Sequence, residues 1–177
     1  MNIKHVRGFS MIELLVAVLV MGIGVLGITG LQMVSLQNNR GALVRAEAVL
    51  LAYDMIDRMR TNPTVNYGGL AMGAAPPVAM NCFTNNCTET QMATFDKAAW
   101  KCSLGNFNTD AICAGLRDGI ALPSALDQPG LPSGDGEIVT TAVVPATVPP
   151  TFIVKITVRW QEQNQPAPTS ISVVSQG

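Results

Sequence analysis

Hydrophobic and polar positions divide the chain into three stretches of different period. From Leu14 to Leu31 there is no alternation: eighteen residues run with Thr29 as the one polar side chain. That is about the length that crosses a bilayer core as a helix. From Gln32 to Arg60 the apolar residues become periodic. Leu43, Ala46, Leu50, Tyr53 and Met59 recur at three, four or six residues, and Leu51, Met55 and Ile56 widen the stripe. This predicts an amphipathic helix with one side against a globular head. No Pro interrupts Phe9 to Arg60, and Asn62-Pro63 is a stop signal. The 53 residues from Phe9 to Thr61 would span roughly 80 Å as one helix. Asp54 with Arg58, and Asp57 with Arg60, have the spacing of ion pairs on a solvated helix face.

Past Pro63 the pattern breaks up. Gly68-Gly69 and Pro76-Pro77 mark turns, and helices are predicted at about Glu89 to Leu104 and Asp110 to Leu122. Pro129 to Gly136 is a predicted loop. The period then becomes two. Phe152, Val154, Ile156, Val158 and Trp160 alternate with Ile153, Lys155, Thr157, Arg159 and Gln161, which predicts a half-buried strand with Trp160 in the core. Strands are also predicted at Glu137 to Val144, ended by Pro145 and Pro149-Pro150, and at Thr169 to Val174. The expected architecture is α+β: a long N-terminal helix packed on a small antiparallel sheet, with a cysteine-bearing region between them.

Composition sharpens this picture. Hydrophobic residues make up 48% and charged residues 13%, against about 25% charged in ordinary domains. Lys4, His5 and Arg7 precede the apolar run and the next cation is Arg40. Short basic flanks stay on the cytoplasmic side, so the N-terminus is expected inside and the bulk of the chain outside. A net charge of −1 gives no electrostatic basis for direct nucleic-acid binding.

The carboxylate of Glu13 opens the apolar run. On insertion scales a charge costs roughly 2.5–3.5 kcal/mol at the centre of a membrane helix and less near an end. Neither a secretory signal peptide nor a simple anchor explains it, and the run has no clean Ala-x-Ala cleavage site. Cutting between Gly8 and Phe9 would create an α-ammonium four residues before Glu13. One ammonium and one carboxylate per chain then allow pairing between neighbouring subunits. Removal of Lys4 and Arg7 would leave nine cations against twelve acids, near −3. Gly24, Gly27 and Gly30 recur every three residues, and small residues allow close approach of membrane helices.

Cys82, Cys87, Cys102 and Cys113 permit three disulfide connectivities, and sequence alone does not choose among them. Short loops favour Cys82 with Cys87 and Cys102 with Cys113. The rival is a four-thiolate metal site, which lacks two-residue spacing and would face an oxidising compartment. No metal or other cofactor is expected. Without His5 the cut chain has no His, so a His-based triad is excluded. There is also no P-loop, dinucleotide fingerprint or HExxH. Asp54, Asp57, Asp96, Asp110, Asp118, Asp127, Asp135 and Glu137 are expected on helix faces and loops, with no catalytic role.

The stretch Gly8-Phe9-Ser10-Met11-Ile12-Glu13, after a basic leader and before the apolar run, resembles the prepilin processing motif of type IV pilins and pseudopilins. The resemblance implies removal of residues 1–8, N-methylation of Phe9 by a prepilin peptidase, and an assembly role for Glu13. Relatives often carry a helix-breaking Pro in this run; here only glycines stand in its place. "GLQMVSLQNNR", "AYDMIDRMRTNP", "LPSGDG" and "FIVKITVRW" resemble minor pilins of the PilV type. That implies a low-abundance subunit working with other minor pilins, the major pilin and the inner-membrane assembly platform. It would begin or cap fibres that serve twitching motility, adhesion or DNA uptake. The implied location is the inner membrane, single-pass with the C-terminal part periplasmic, and then the fibre. The implied organisation is a leader at 1–8, a helix at 9–61 with about 12–31 in the bilayer, a connecting region at 62–136 and a sheet at 137–177. Two other readings stand beside it: a type II secretion pseudopilin, and a membrane-anchored periplasmic binding protein that does not assemble.

Overall fold

The computed structural model describes residues 8–117, 130–142, 152–163 and 165–176. The leader up to Arg7, the predicted helix beyond Arg117 (with Asp118 and Asp127), Pro129 and the stretch from Val143 through Pro150 lie outside the described residues. Among the described residues three helices and three strands follow in order: α1 (Met11–Thr61), α2 (Glu89–Leu104), α3 (Ala111–Arg117), β1 (Asp135–Ala142), β2 (Phe152–Trp160) and β3 (Thr169–Gln176). The chain divides into two compact units at Ala42/Leu43.

The first unit is the apolar part of α1. The carbonyl of Ser10 accepts from the amides of Glu13 and Leu14, at 3.0 and 3.3 Å, and so starts the helix. Glu13 lies in the first turn, where a carboxylate complements the positive end of the helix dipole. An 18-residue window here has mean hydropathy 2.6 and none of it is buried. The segment is therefore long and apolar enough to cross a membrane. The Thr29 hydroxyl donates to the Val25 carbonyl at 2.8 Å, so the polar residue of the run is satisfied within its own helix.

The second unit is the head. Its antiparallel sheet has the order β1-β2-β3. Ile138, Ile156 and Val173 lie in register across it. The alternation in β2 appears directly as burial: Val154, Ile156, Val158 and Trp160 are buried. They share one core with Ala48, Ala52, Met55 and Ile56 of α1 and with Trp100 and Leu104 of α2. At about 25 cal/mol per Å² of apolar surface removed from water, this shared core is the main source of head stability. The indole of Trp100 also donates to the Leu51 carbonyl at 2.8 Å, tying α2 to α1.

The buried side of α1 differs from the expected stripe. Leu43, Leu50 and Tyr53 are 70%, 69% and 49% exposed, whereas Ala48 and Ala52 are fully buried. Met55 and Ile56 face the core as the stripe predicts, and the small Ala48 and Ala52 join them in the cluster that holds Trp100 and Trp160. Leu43 and Leu50 lie on the other side, whereas Leu51 and Met59 pack half-buried against the core.

α2 begins with a capping box. Thr88 Oγ1 accepts from the Gln91 amide at 3.3 Å, and Gln91 Oε1 accepts from the Thr88 amide at 2.9 Å, satisfying two otherwise orphan donors. Its C-terminal end is held by the Leu131–Gly136 turn. The Leu131 amide donates to the Leu104 carbonyl at 2.8 Å. A Cβ at Gly134 would lie 2.0 Å from that carbonyl oxygen, and one at Gly136 would lie 2.4 Å from the Trp100 ring. These two glycines are required for contact rather than flexibility. β1 begins at Asp135, two residues before the expected sheet boundary, because this turn leads straight into the ladder. A second apolar cluster lies around Phe95, Ala98, Cys102, Cys113 and Leu116.

Candidate processing and assembly segment

Gly8 and Phe9 precede α1 in exposed backbone, and Phe9 is 80% exposed. The Gly8–Phe9 bond is therefore accessible and non-helical. Glu13 follows one helical turn later, also exposed. The motif residues and the apolar run are thus continuous on one element. Gly22, Gly24, Gly27 and Gly30 have nothing within 4 Å of where a Cβ would stand. These glycines are not needed for packing within the chain.

The cysteines form two disulfides. Cys82 is bonded to Cys87 and Cys102 to Cys113, each with Cα atoms 5.5 Å apart. No thiolate remains for the rival metal site, and no group of three potential metal ligands occurs among the described residues. The first disulfide closes a small loop whose Phe83 ring meets Phe95 edge-on, with centroids 5.0 Å apart. The second joins α2 to α3 with both half-cystines buried.

Two polar networks in the head escaped the sequence reading. In the first, Arg58 donates to Asp54 at 2.9 Å, as its spacing predicts, and also to Asp96 at 3.1 Å. Asp96 accepts from the Tyr67 hydroxyl at 2.8 Å, and that oxygen accepts from Asn62 Nδ2 at 3.3 Å. Burial opposes the charge on Arg58, but the two carboxylates outweigh it and hold the guanidinium above its ordinary value. Burial, then the bond to Asp96, pushes the Tyr67 phenol well above the usual tyrosine range. The pair Asp57–Arg60, at 3.0 Å, stays on the surface as expected.

In the second network Lys101 and Asp135 form a buried ion pair, 0% and 1% exposed. The ammonium also donates to the Ala71 carbonyl at 3.1 Å. The carboxylate also accepts from the amides of Gly73 and Gly136, at 2.5 and 2.7 Å, and has Arg159 at 3.7 Å. Burial lowers the Lys101 pKa, and the bond to Asp135 opposes that shift. Asp96 does lie on a helix, α2, but is buried, and Asp135 begins a strand and is buried, so neither is a solvated surface acid. The side chains that bond them, Arg58 and Tyr67 for Asp96 and Lys101 for Asp135, are 38, 29 and 34 positions away, so no local spacing marks the pairs. Both networks join α2 to neighbouring segments and are structural in character.

The fold and its leading segment define a class: a subunit with a membrane-length helix, an accessible Gly-Phe junction, a first-turn glutamate and a disulfide-bonded α+β head. Comparison with known families gives two adjoining matches. Residues 3–29 match the prokaryotic N-terminal methylation motif, and residues 30–98 match the type IV pilin Tt1218 family model. The two matches support a type IV pilin family for this chain, a family whose members are structural proteins. No curated protein and no solved structure matches it.

Proposed function

We propose that this chain is a minor pilin, cut by prepilin peptidase between Gly8 and Phe9, N-methylated at Phe9, and used to initiate or cap type IV pili. The observation that carries the reading is the methylation motif leading without a break into α1. The PilV-like stretches named above support the minor role. The bilayer holds the apolar half of α1 before assembly, with the head on the periplasmic side. Moving that helix from lipid into a bundle leaves Glu13 without water, and the Phe9 ammonium of an adjacent subunit offsets its charge. The exposed glycines of the run allow close packing against other pilin helices. The partners are other minor pilins, the major pilin and the assembly platform.

The test is Glu13→Gln in the native host, read by immunoblot of sheared fibres and membranes. Expected is unchanged membrane content with at least a tenfold loss from fibres. Peptide mass mapping of the wild-type chain should find Phe9 at the N-terminus bearing one methyl group. Normal incorporation of the variant, or an uncut Met1 in the mature pool, would overturn the proposal. A host lacking the chain should make few fibres; undiminished fibre number would overturn the initiating role.

A further inference from the structure

The two disulfides of the head differ in how far a reagent can reach them. Cys102 and Cys113 are 1% and 0% exposed. Their bond joins α2 to α3 inside the cluster of Phe95, Ala98 and Leu116. Cys82 and Cys87 are only half-buried, and the four residues between them, Phe83 to Asn86, are all exposed. Thiol–disulfide exchange proceeds by attack of a thiolate on one sulfur through a mixed disulfide, so it needs access to that sulfur. In the packed head neither a small thiol nor a disulfide carrier meets Cys102 or Cys113. That bond must therefore be made before α3 packs on α2. The loop bond carries no such restriction.

What the loop bond holds is local. Cys82 packs on the second cluster, and neither Cys82 nor Cys87 belongs to the core that α1, α2 and the sheet share. The loop has other holds. Asn81 Oδ1 accepts from the Phe83 amide at 3.0 Å, and the Asn81 carbonyl accepts from Asn85 Nδ2 at 2.9 Å. The start of α2 keeps its own capping box between Thr88 and Gln91. The Met80 carbonyl lies 3.5 Å from Cys82 Sγ, placed to accept the S–H that reduction creates. The contact that the bond pins is the edge-on Phe83 ring on buried Phe95.

We propose that the head is closed by two redox steps of different kind, one permanent and one reversible. An oxidising disulfide carrier first makes Cys102–Cys113 on the unpacked chain. The carrier's S–S bond breaks as the Cys102–Cys113 bond forms. Two electrons and the two thiol protons pass to the carrier, which leaves as a dithiol. Cys82–Cys87 stays exchangeable after folding. A dithiol that attacks it leaves as a disulfide and returns both cysteines as thiols; an oxidised carrier runs the same exchange backwards. The loop bond is thus a redox-sensitive pin that frees or fixes Phe83 while the core stays folded. The inference concerns the head alone and does not rest on the fibre role.

The test has two arms. In the first, folded full chain in detergent is treated with dithiothreitol, and free thiols are trapped with iodoacetamide at timed intervals. Trypsin leaves Cys82 and Cys87 in Thr61–Lys97 and Cys102 and Cys113 in Cys102–Arg117, so mass mapping scores the pairs separately. Expected is alkylation of Cys82 and Cys87 at least tenfold faster than of Cys102 and Cys113. The near-ultraviolet signal of Trp100 and Trp160 should persist, and oxidised dithiothreitol should restore the loop bond. Equal rates, faster opening of Cys102–Cys113, or loss of the tryptophan signal with the loop bond would overturn the inference. In the second arm, newly made chain in its native host is pulse-labelled, acid-quenched and alkylated, with protease resistance of the head followed in parallel. Expected is Cys102–Cys113 already closed in the first resistant heads. Resistant heads that accumulate with Cys102 and Cys113 free would overturn the order of the steps.

Discussion

Asp135→Asn removes the carboxylate that neutralises Lys101, and the structure sets the cost. The ammonium is fully buried and would keep neutral neighbours, the Ala71 carbonyl 3.1 Å away, the Phe107 ring 5.4 Å away and the new amide oxygen, but lose its bonded counter-charge. Breaking a buried pair from one side costs about 3–5 kcal/mol. The chain has one escape, which is to release the proton. From an ordinary lysine value near 10.4, that costs about 1.4 kcal/mol per pH unit, or about 4.6 kcal/mol at pH 7. The loss at pH 7 is therefore bounded at about 3–4.6 kcal/mol, on the order of 10–18 °C in melting temperature for a head of this size. In the variant the folded-state pKa of Lys101 lies below the unfolded one. The unfolded chain then binds more protons between the two values, and stability rises with pH across that window. Moving from pH 7 to pH 9 should return up to about 2.7 kcal/mol. Near-ultraviolet circular dichroism of the processed full chain in detergent is the assay, since Trp100 and Trp160 are both buried and report the core. Lys101→Met with Asp135→Asn should recover most of the loss. A drop below about 1 kcal/mol at pH 7, or a drop that does not shrink by pH 9, would refute the reasoning.

The disulfides should differ in weight. Loop entropy for separations of 5 and 11 residues gives about 2.1 kcal/mol for Cys82–Cys87 and about 2.8 kcal/mol for Cys102–Cys113. The second also leaves a cavity in the core, so double Cys→Ala variants should melt in that order by calorimetry. Tyr67 has its pKa raised on folding, so its contribution is complete below about pH 10 and is lost as pH climbs through the folded value. In a Tyr53→Phe background, tyrosinate absorbance should appear only with alkaline unfolding. Its appearance near pH 10 in folded protein would sink the assignment. Gly136→Ala would press a methyl group into the Trp100 ring and should cost about 1–3 kcal/mol, measured by urea denaturation. A neutral result would mean that α2 does not seat on β1 as described.

What the sequence determined by itself were features carried by neighbouring residues. A membrane helix, a strand and a turn each write a period or a breaker into a few consecutive positions. Hence the apolar run, α2 and the alternation of β2 were legible, as was the processing motif with its glutamate. The tertiary structure decided which face of α1 is inside. Hydropathy favoured Leu43 and Leu50 for the core together with Met55 and Ile56, but the fold buries Ala48 and Ala52 beside Met55 and Ile56 and leaves Leu43 and Leu50 outside, a choice imposed by Trp100 and the sheet from elsewhere in the chain. It also decided the fate of Lys101, Asp135 and Asp96. A charge looks like surface until the chain brings it a partner, and these partners come from segments about thirty positions away. Burial of an ion is a property of the pair and its surroundings, so only the folded head could reveal it.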